Sequence, residues 1–120
     1  MNRRVAGQKN YYDGIAAEAV IERRYLIEGS EVIARRWRGL SGEIDLVFRK
    51  GSDVIFVEVK KAKDFSDAAY RLSERQLARI ASAAEEFVAE EALGSLTPIR
   101  IDLALVNQHG ESSIIKNVTM

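Results

Sequence analysis

Gly42-Glu43-Ile44-Asp45-Leu46 and Phe56-Val57-Glu58-Val59-Lys60 carry the reading of this sequence. Each segment sets charged side chains at alternate positions inside a run that otherwise favours burial. In a strand, residues i and i+2 face the same way, so Glu43 shares a face with Asp45, and Glu58 with Lys60. Between them, Arg49-Lys50-Gly51-Ser52-Asp53 is short and polar and contains glycine, the composition of a hairpin turn. A turn centred on Gly51 and Ser52 places Asp45 opposite Glu58 and Glu43 opposite Lys60. Three carboxylates and an ammonium then converge on one patch of sheet. Burying such groups is costly unless they are paired or hold a metal. The plainer alternative is an ion pair between Lys60 and one carboxylate at a frayed strand end, of little net value. Two carboxylate-bearing strands meeting beside one lysine point instead to a site.

Composition bounds what that site can be. A chain of 120 residues suits one domain with one core. With 47% apolar and 30% charged residues, it is globular rather than disordered. No run approaches the about 18 apolar residues of a membrane span. The basic N-terminus is not followed by the apolar core of a secretory signal. The expectation is a cytoplasmic protein without a membrane partner. The absence of cysteine excludes disulfides and thiolate zinc sites, and the single histidine, His109, excludes imidazole-rich ones. A metal here would be oxygen-bound, which favours Mg2+ or Mn2+. The net charge of zero does not advertise a nucleic-acid binder. Basic residues nevertheless cluster at Arg3, Arg4 and Lys9, at Arg35, Arg36 and Arg38 around Trp37, and at Lys60, Lys61 and Lys63. The acids gather at Glu85, Glu86, Glu90 and Glu91, as expected of solvated surface.

Periodicity supplies the frame. Residues 1–10 read as a flexible basic arm and 11–120 as a single domain. Apolar spacing predicts a helix over 12–28 that stops at Gly29. Residues 31–38 alternate like a half-exposed strand, and Trp37 is expected to be partly buried beneath the first helix. Strands follow over 43–48 and 54–60. In the second, Val54-Ile55-Phe56-Val57 suits a central strand covered on both faces. Ala69, Leu72, Leu77, Ile80, Ala84, Phe87 and Val88 form the stripe of a helix over 66–91. A strand over 99–106, a turn over 107–110 holding His109, and a short strand over 114–118 complete the chain. Arg100 and Asp102 read as a structural pair. The order α-β-β-β-α-β-β is that of an α/β protein with helices packed on a mixed sheet.

These residues resemble the restriction-endonuclease-like superfamily of metal-dependent nucleases. Its signature is an acidic residue in one strand, then carboxylate-x-lysine ending the next. Asp45 and Glu58-Val59-Lys60 match, although Ile44 stands where proline is commoner. The chain is more narrowly similar to the small bacterial YraN-like family, whose members are described as uncharacterised or as candidate endonucleases. That likeness rests on Gly14-x-x-x-Glu18, Trp37-Arg38 followed by Gly42-Glu43-Ile44-Asp45-Leu46, Phe56-Val57-Glu58-Val59-Lys60, Gln76, and Arg100-Ile101-Asp102. It spans about residues 14–118. The family's core is in turn similar to that of Holliday-junction resolvases. The chain departs from the family at Arg36, often asparagine, at Ala62, often basic, and at Arg75, commonly lysine.

The resemblance implies a restriction-endonuclease-like core and a Mg2+- or Mn2+-dependent endonuclease acting on DNA more than RNA, including branched DNA. It implies a homodimer if action is resolvase-like, since two symmetric cuts need two sites. Asp45 and Glu58 would be core ligands, joined by the backbone carbonyl of Val59. Lys60 would orient water and stabilise developing charge. Glu18 would complete the site or face solvent; Glu43 would bind metal or hold a basic side chain. Gln76 would contact the site or lie on the surface. A non-catalytic nucleic-acid-binding or scaffold protein that keeps the same fold is the competing expectation.

Overall fold

The computed structural model describes residues 3–66 and 71–119, with side chains in the first helix from Gly14 onward. The elements run α1 (Arg3–Ile27), β1 (Glu31–Arg38), β2 (Glu43–Lys50), β3 (Asp53–Lys61), α2 (Glu74–Val88), β4 (Ile99–Val106) and β5 (Ser112–Ile115), with a 3-10 turn at Gly94–Leu96 before β4. The five strands form one mixed sheet in the order β1-β2-β3-β4-β5. All neighbours are antiparallel except β3 and β4, which run parallel because α2 lies between them in sequence. This is the expected α/β order.

The sheet is covered on both faces. Ala17, Ile21 and Tyr25 of α1 pack on Leu46, Phe48, Ile55, Val57, Ala104 and Val106. Ile80, Ala83, Ala84 and Val88 of α2 pack on Ile44, Val47, Val54, Phe56 and Ile101. The central run Val54-Ile55-Phe56-Val57 is therefore buried on alternate sides, each residue at most 1% exposed. At about 1.5–3 kcal/mol per fully buried large side chain, this strand is a principal source of stability.

Several boundaries differ from expectation. Helix α1 begins at Arg3, so helix replaces most of the stretch read as a basic arm. Helix α2 begins at Glu74 because Ser73 closes a capping box: its hydroxyl accepts from Gln76 N, and Gln76 Oε1 accepts from Ser73 N. Leu72 still packs on the core from ahead of the helix, which explains the overlong apolar stripe. Ala69 of that stripe lies outside the described residues. Strand β5 starts at Ser112, directly after the turn, where Val106 pairs with Ser112. Asn117, at φ 56°, then turns the chain so that its N–H reaches Asp102 and Val118 N reaches Ile101 O. Trp37 packs edge-on to Phe87 of α2, ring centroids 5.3 Å apart, and not beneath α1. Its ladder partner Ile44 belongs to the same α2-side cluster.

The acids of α2 and beyond have structural duties. Glu86 accepts from Leu40 N at 3.0 Å and Ser41 N at 3.2 Å, tying the β1–β2 loop to the helix. Glu91 pairs with Arg49 at 2.8 Å. A Cβ on Gly39 would lie 2.4 Å from Glu86 Oε2 and 2.7 Å from the Trp37 ring, which Phe87 holds in place. Gly39→Ala is therefore expected to lower stability by about 1–3 kcal/mol, read from the urea midpoint. An unchanged midpoint would show that the clamp can yield.

Candidate functional site

The expected register is present, but the strands part where the charges begin. Pairing between β2 and β3 runs from Lys50↔Asp53 to Leu46↔Val57 and stops there. Continuing it would set Asp45 against Glu58, as the sequence predicts. Instead, Asp45 Oδ2 accepts from Val59 N at 2.8 Å. By strand alternation, that N–H would otherwise serve the β2 backbone. A carboxylate thus wedges into the fork of the sheet, while β3 continues its parallel pairing to β4 on the other side through Lys61↔Val106.

The expected meeting of three carboxylates resolves into a pair. Glu58 lies close enough to feel the Asp45 charge, and Lys60 and Arg79 act on it from the positive side. Glu58 Oε2 is buried and accepts no hydrogen bond among the described residues. Burial first, then Asp45, pushes the Glu58 carboxyl up from about 4.5 to about 7. Burial also raises Asp45, against the Val59 N–H bond; Glu18 and Glu43 add to the rise and Arg36 opposes it. Glu43 is exposed and contributes charge at a distance. Glu18 of α1 reaches the same region, but its Oε2 lies 3.0 Å from Arg36 Nε. Among the described residues, no three carboxylate or histidine side chains approach closely enough to form a metal-holding group.

The unpartnered oxygen of Glu58 sets the fit of the site to a cation. A buried acceptor oxygen without a donor among the described residues, beside a second, half-buried carboxylate, favours either a proton or a hard cation. The donors are all oxygen, which suits Mg2+ or Mn2+. Gln76 is committed, through its side-chain oxygen, to the α2 cap. Arg79, one turn further along α2, packs over Gly42, where an added Cβ would lie 3.0 Å from Arg79 Cδ. Arg79 was not singled out from the sequence; its signal is the i, i+3 spacing from Gln76, which becomes meaningful only once α2 is docked. His109 is exposed in its turn, and Arg100 and Asp102 form the expected structural pair.

The raised carboxyl has a consequence for stability. A group whose folded value is raised contributes stability that is fully present below its unfolded value and lost as pH rises through the folded one. Without added metal, the Glu58 contribution should fade between about pH 4.5 and 7. Glu58→Gln should therefore be more stable than wild type at pH 8 by up to about 2 kcal/mol, after allowance for a partly open site. The advantage should disappear at pH 4. Urea unfolding in EDTA at both values measures it, and equal midpoints at pH 8 would refute the shift.

Fold and fork together define an α/β protein whose core is compatible with that of nucleases. The chain belongs to the uncharacterised protein family UPF0102, whose model matches residues 17–106. A UPF0102 protein of Cereibacter sphaeroides is 52% identical over 113 residues, covering 94% of this chain and 97% of the relative. One from Ruegeria pomeroyi is 49% identical over 111 residues, 92% and 90% of the two chains. Another, from Dinoroseobacter shibae, is 40% identical over 118 residues, 98% and 88%. These relatives are bacterial and their descriptions assign no activity. Among the described residues, no helix is long and apolar enough to cross a membrane.

Proposed function

We propose that this protein is a metal-dependent endonuclease that hydrolyses phosphodiester bonds in DNA. The observation that carries the reading is the fork: two half-buried carboxylates, one with a buried oxygen that has no donor among the described residues, beside the Lys60 ammonium. Asp45, fixed by the Val59 N–H, and Glu58 would hold a Mg2+ or Mn2+ ion, with the Val59 carbonyl as a third oxygen. Such an ion, when bound, lowers the pKa of water and draws charge from a phosphate oxygen. In the hydrolysis a water oxygen bonds to phosphorus, the bond from phosphorus to the leaving sugar oxygen breaks, and that oxygen takes up a proton. The Lys60 ammonium orients the water and stabilises negative charge on the phosphate. The Arg79 guanidinium adds positive charge beside Glu58. A branched substrate and a homodimer extend this reading by analogy with resolvases, which is a fold-level argument.

The test is a panel of single-stranded, duplex, flap and four-way-junction DNA, and RNA, incubated with Mg2+ or Mn2+. Wild type should cut at least one DNA, and Asp45→Asn and Lys60→Ala should not. Binding without cleavage under every condition would replace this reading with a non-catalytic nucleic-acid-binding role.

A further inference from the structure

Glu74 apart, helix α2 places its cations early and its anions late. Arg75 stands in the first turn and Arg79 in the second, while the last turn holds Glu85 and Glu86 and no basic residue. A cation near a helix N-terminus and an anion near its C-terminus both oppose the macrodipole, and like charges four residues apart repel. Glu86 is explained by the β1–β2 loop that it clamps. The two arginines have no such duty. Both are exposed, and among the described residues neither makes a hydrogen bond or an ion pair. The stability of the helix does not account for them.

Arg79 is also seated. Its stem lies across Gly42, where an added Cβ would come within 3.0 Å of Cδ and 3.2 Å of Cγ. Gly42, at φ 149°, directly precedes β2, the strand that carries Asp45. Contact with this stretch of backbone holds the stem at the mouth of the fork, where the guanidinium charge acts on Glu58 without an ion pair. A divalent cation held by Asp45 and Glu58 would cancel their charge and leave two cations, Lys60 and Arg79, against the exposed Glu43. Such a surplus draws a phosphate, and the planar guanidinium with its paired N–H donors fits one. Arg75 lies one turn earlier, about 6 Å along the helix axis. That step is comparable to the distance between neighbouring phosphates of one nucleic-acid strand.

We infer that Arg79, seated on Gly42, binds the DNA phosphate at the mouth of the Asp45–Glu58 fork, and that Arg75 binds the neighbouring phosphate of the same strand. This rests on the nuclease reading and adds the path of the strand to it: the backbone runs along the first two turns of α2 into the fork.

Binding of labelled duplex and four-way-junction DNA is measured against salt, with Ca2+ replacing Mg2+, for wild type, Arg79→Gln, Arg75→Gln, the double variant and Lys50→Gln. Glutamine forms helix about as well as arginine, so the α2 variants should melt within a few degrees of wild type. Each single α2 variant should bind several-fold more weakly, with the slope of log K against log salt shallower by about 0.9, and the double variant by about 1.8. Lys50→Gln, at the hairpin end of β2 away from the fork, should keep wild-type affinity and slope. The Mn2+-induced rise in melting temperature should persist in Arg79→Gln, at the same or lower Mn2+, because the variant removes a cation from beside Glu58. Wild-type affinity and slope in the double variant, or an equal change in Lys50→Gln, would overturn the inference and leave the nuclease reading standing. Loss of the Mn2+ response in Arg79→Gln would make Arg79 a part of the fork's own structure and overturn its role as a phosphate ligand. Failure of wild type to bind either DNA would remove both the inference and the reading beneath it.

Discussion

Asp45→Asn is expected to reduce metal-dependent cleavage by at least about a thousandfold while leaving the fold intact. A bound metal supplies several kcal/mol of charge stabilisation, and each 1.36 kcal/mol is a factor of ten in rate. The asparagine oxygen can still accept from Val59 N, so the fork keeps its 2.8 Å tether. What disappears is the negative charge with which the fork would hold a cation. The Asp45 carboxyl is raised by burial and by two neighbouring carboxylates, so neutralising it should stabilise the metal-free protein above pH 7. Loss of activity with retained or increased stability separates this from a folding defect. Loss of both would mean that the carboxylate is structural.

The largest effect on stability is expected at Asp102. This residue of β4 is 0% exposed and joins α1 to the chain after β5. Its two oxygens accept from Tyr25 Oη at 2.5 Å, from Arg100 Nε at 2.9 Å and Nη2 at 3.0 Å, and from Asn117 N at 2.9 Å. Burial and the Asp102 charge push the Tyr25 phenol far above its ordinary value, so it remains a donor. Asp102→Ala strands four donors, one group of them cationic, and should cost about 3–5 kcal/mol. Against a typical total of about 5–15 kcal/mol, that is enough to bring the protein near its unfolding threshold. Tyr25→Phe removes one donor together with its partner's bond and should cost about 1–2 kcal/mol. Denaturant midpoints for both variants test the ranking. An Asp102→Ala midpoint close to that of wild type would contradict it.

Much of the frame was legible from local patterns. β1 and β4 start and stop where alternation and the apolar run place them. The tight turn at Gly51, with φ 62°, fixed the β2–β3 register and with it the approach of Asp45 to Glu58. The start of α2 is written locally in Ser73-x-x-Gln76, a capping-box pattern, but the apolar stripe that begins ahead of it masks the signal. The other limits are long-range. The partner of Glu18 is 18 residues away in β1 and depends on a left-handed residue inside a strand, which no periodicity signals. Arg79 joins the site only because α2 docks over Gly42. The pattern located the carboxylates; tertiary contacts decide which of them are paired with arginine and which face the fork.

Cation binding tests the central claim most directly. Melting of the wild-type protein, Asp45→Asn and Glu58→Gln is followed as Mn2+ is titrated at pH 7.5. A ligand at 100 times its Kd stabilises by about 2.7 kcal/mol, a shift of several degrees for a domain of this size. The wild-type melting temperature should rise with Mn2+ and saturate, and neither variant should respond. Equal shifts in all three proteins, or no shift in wild type, would contradict a metal site at the fork.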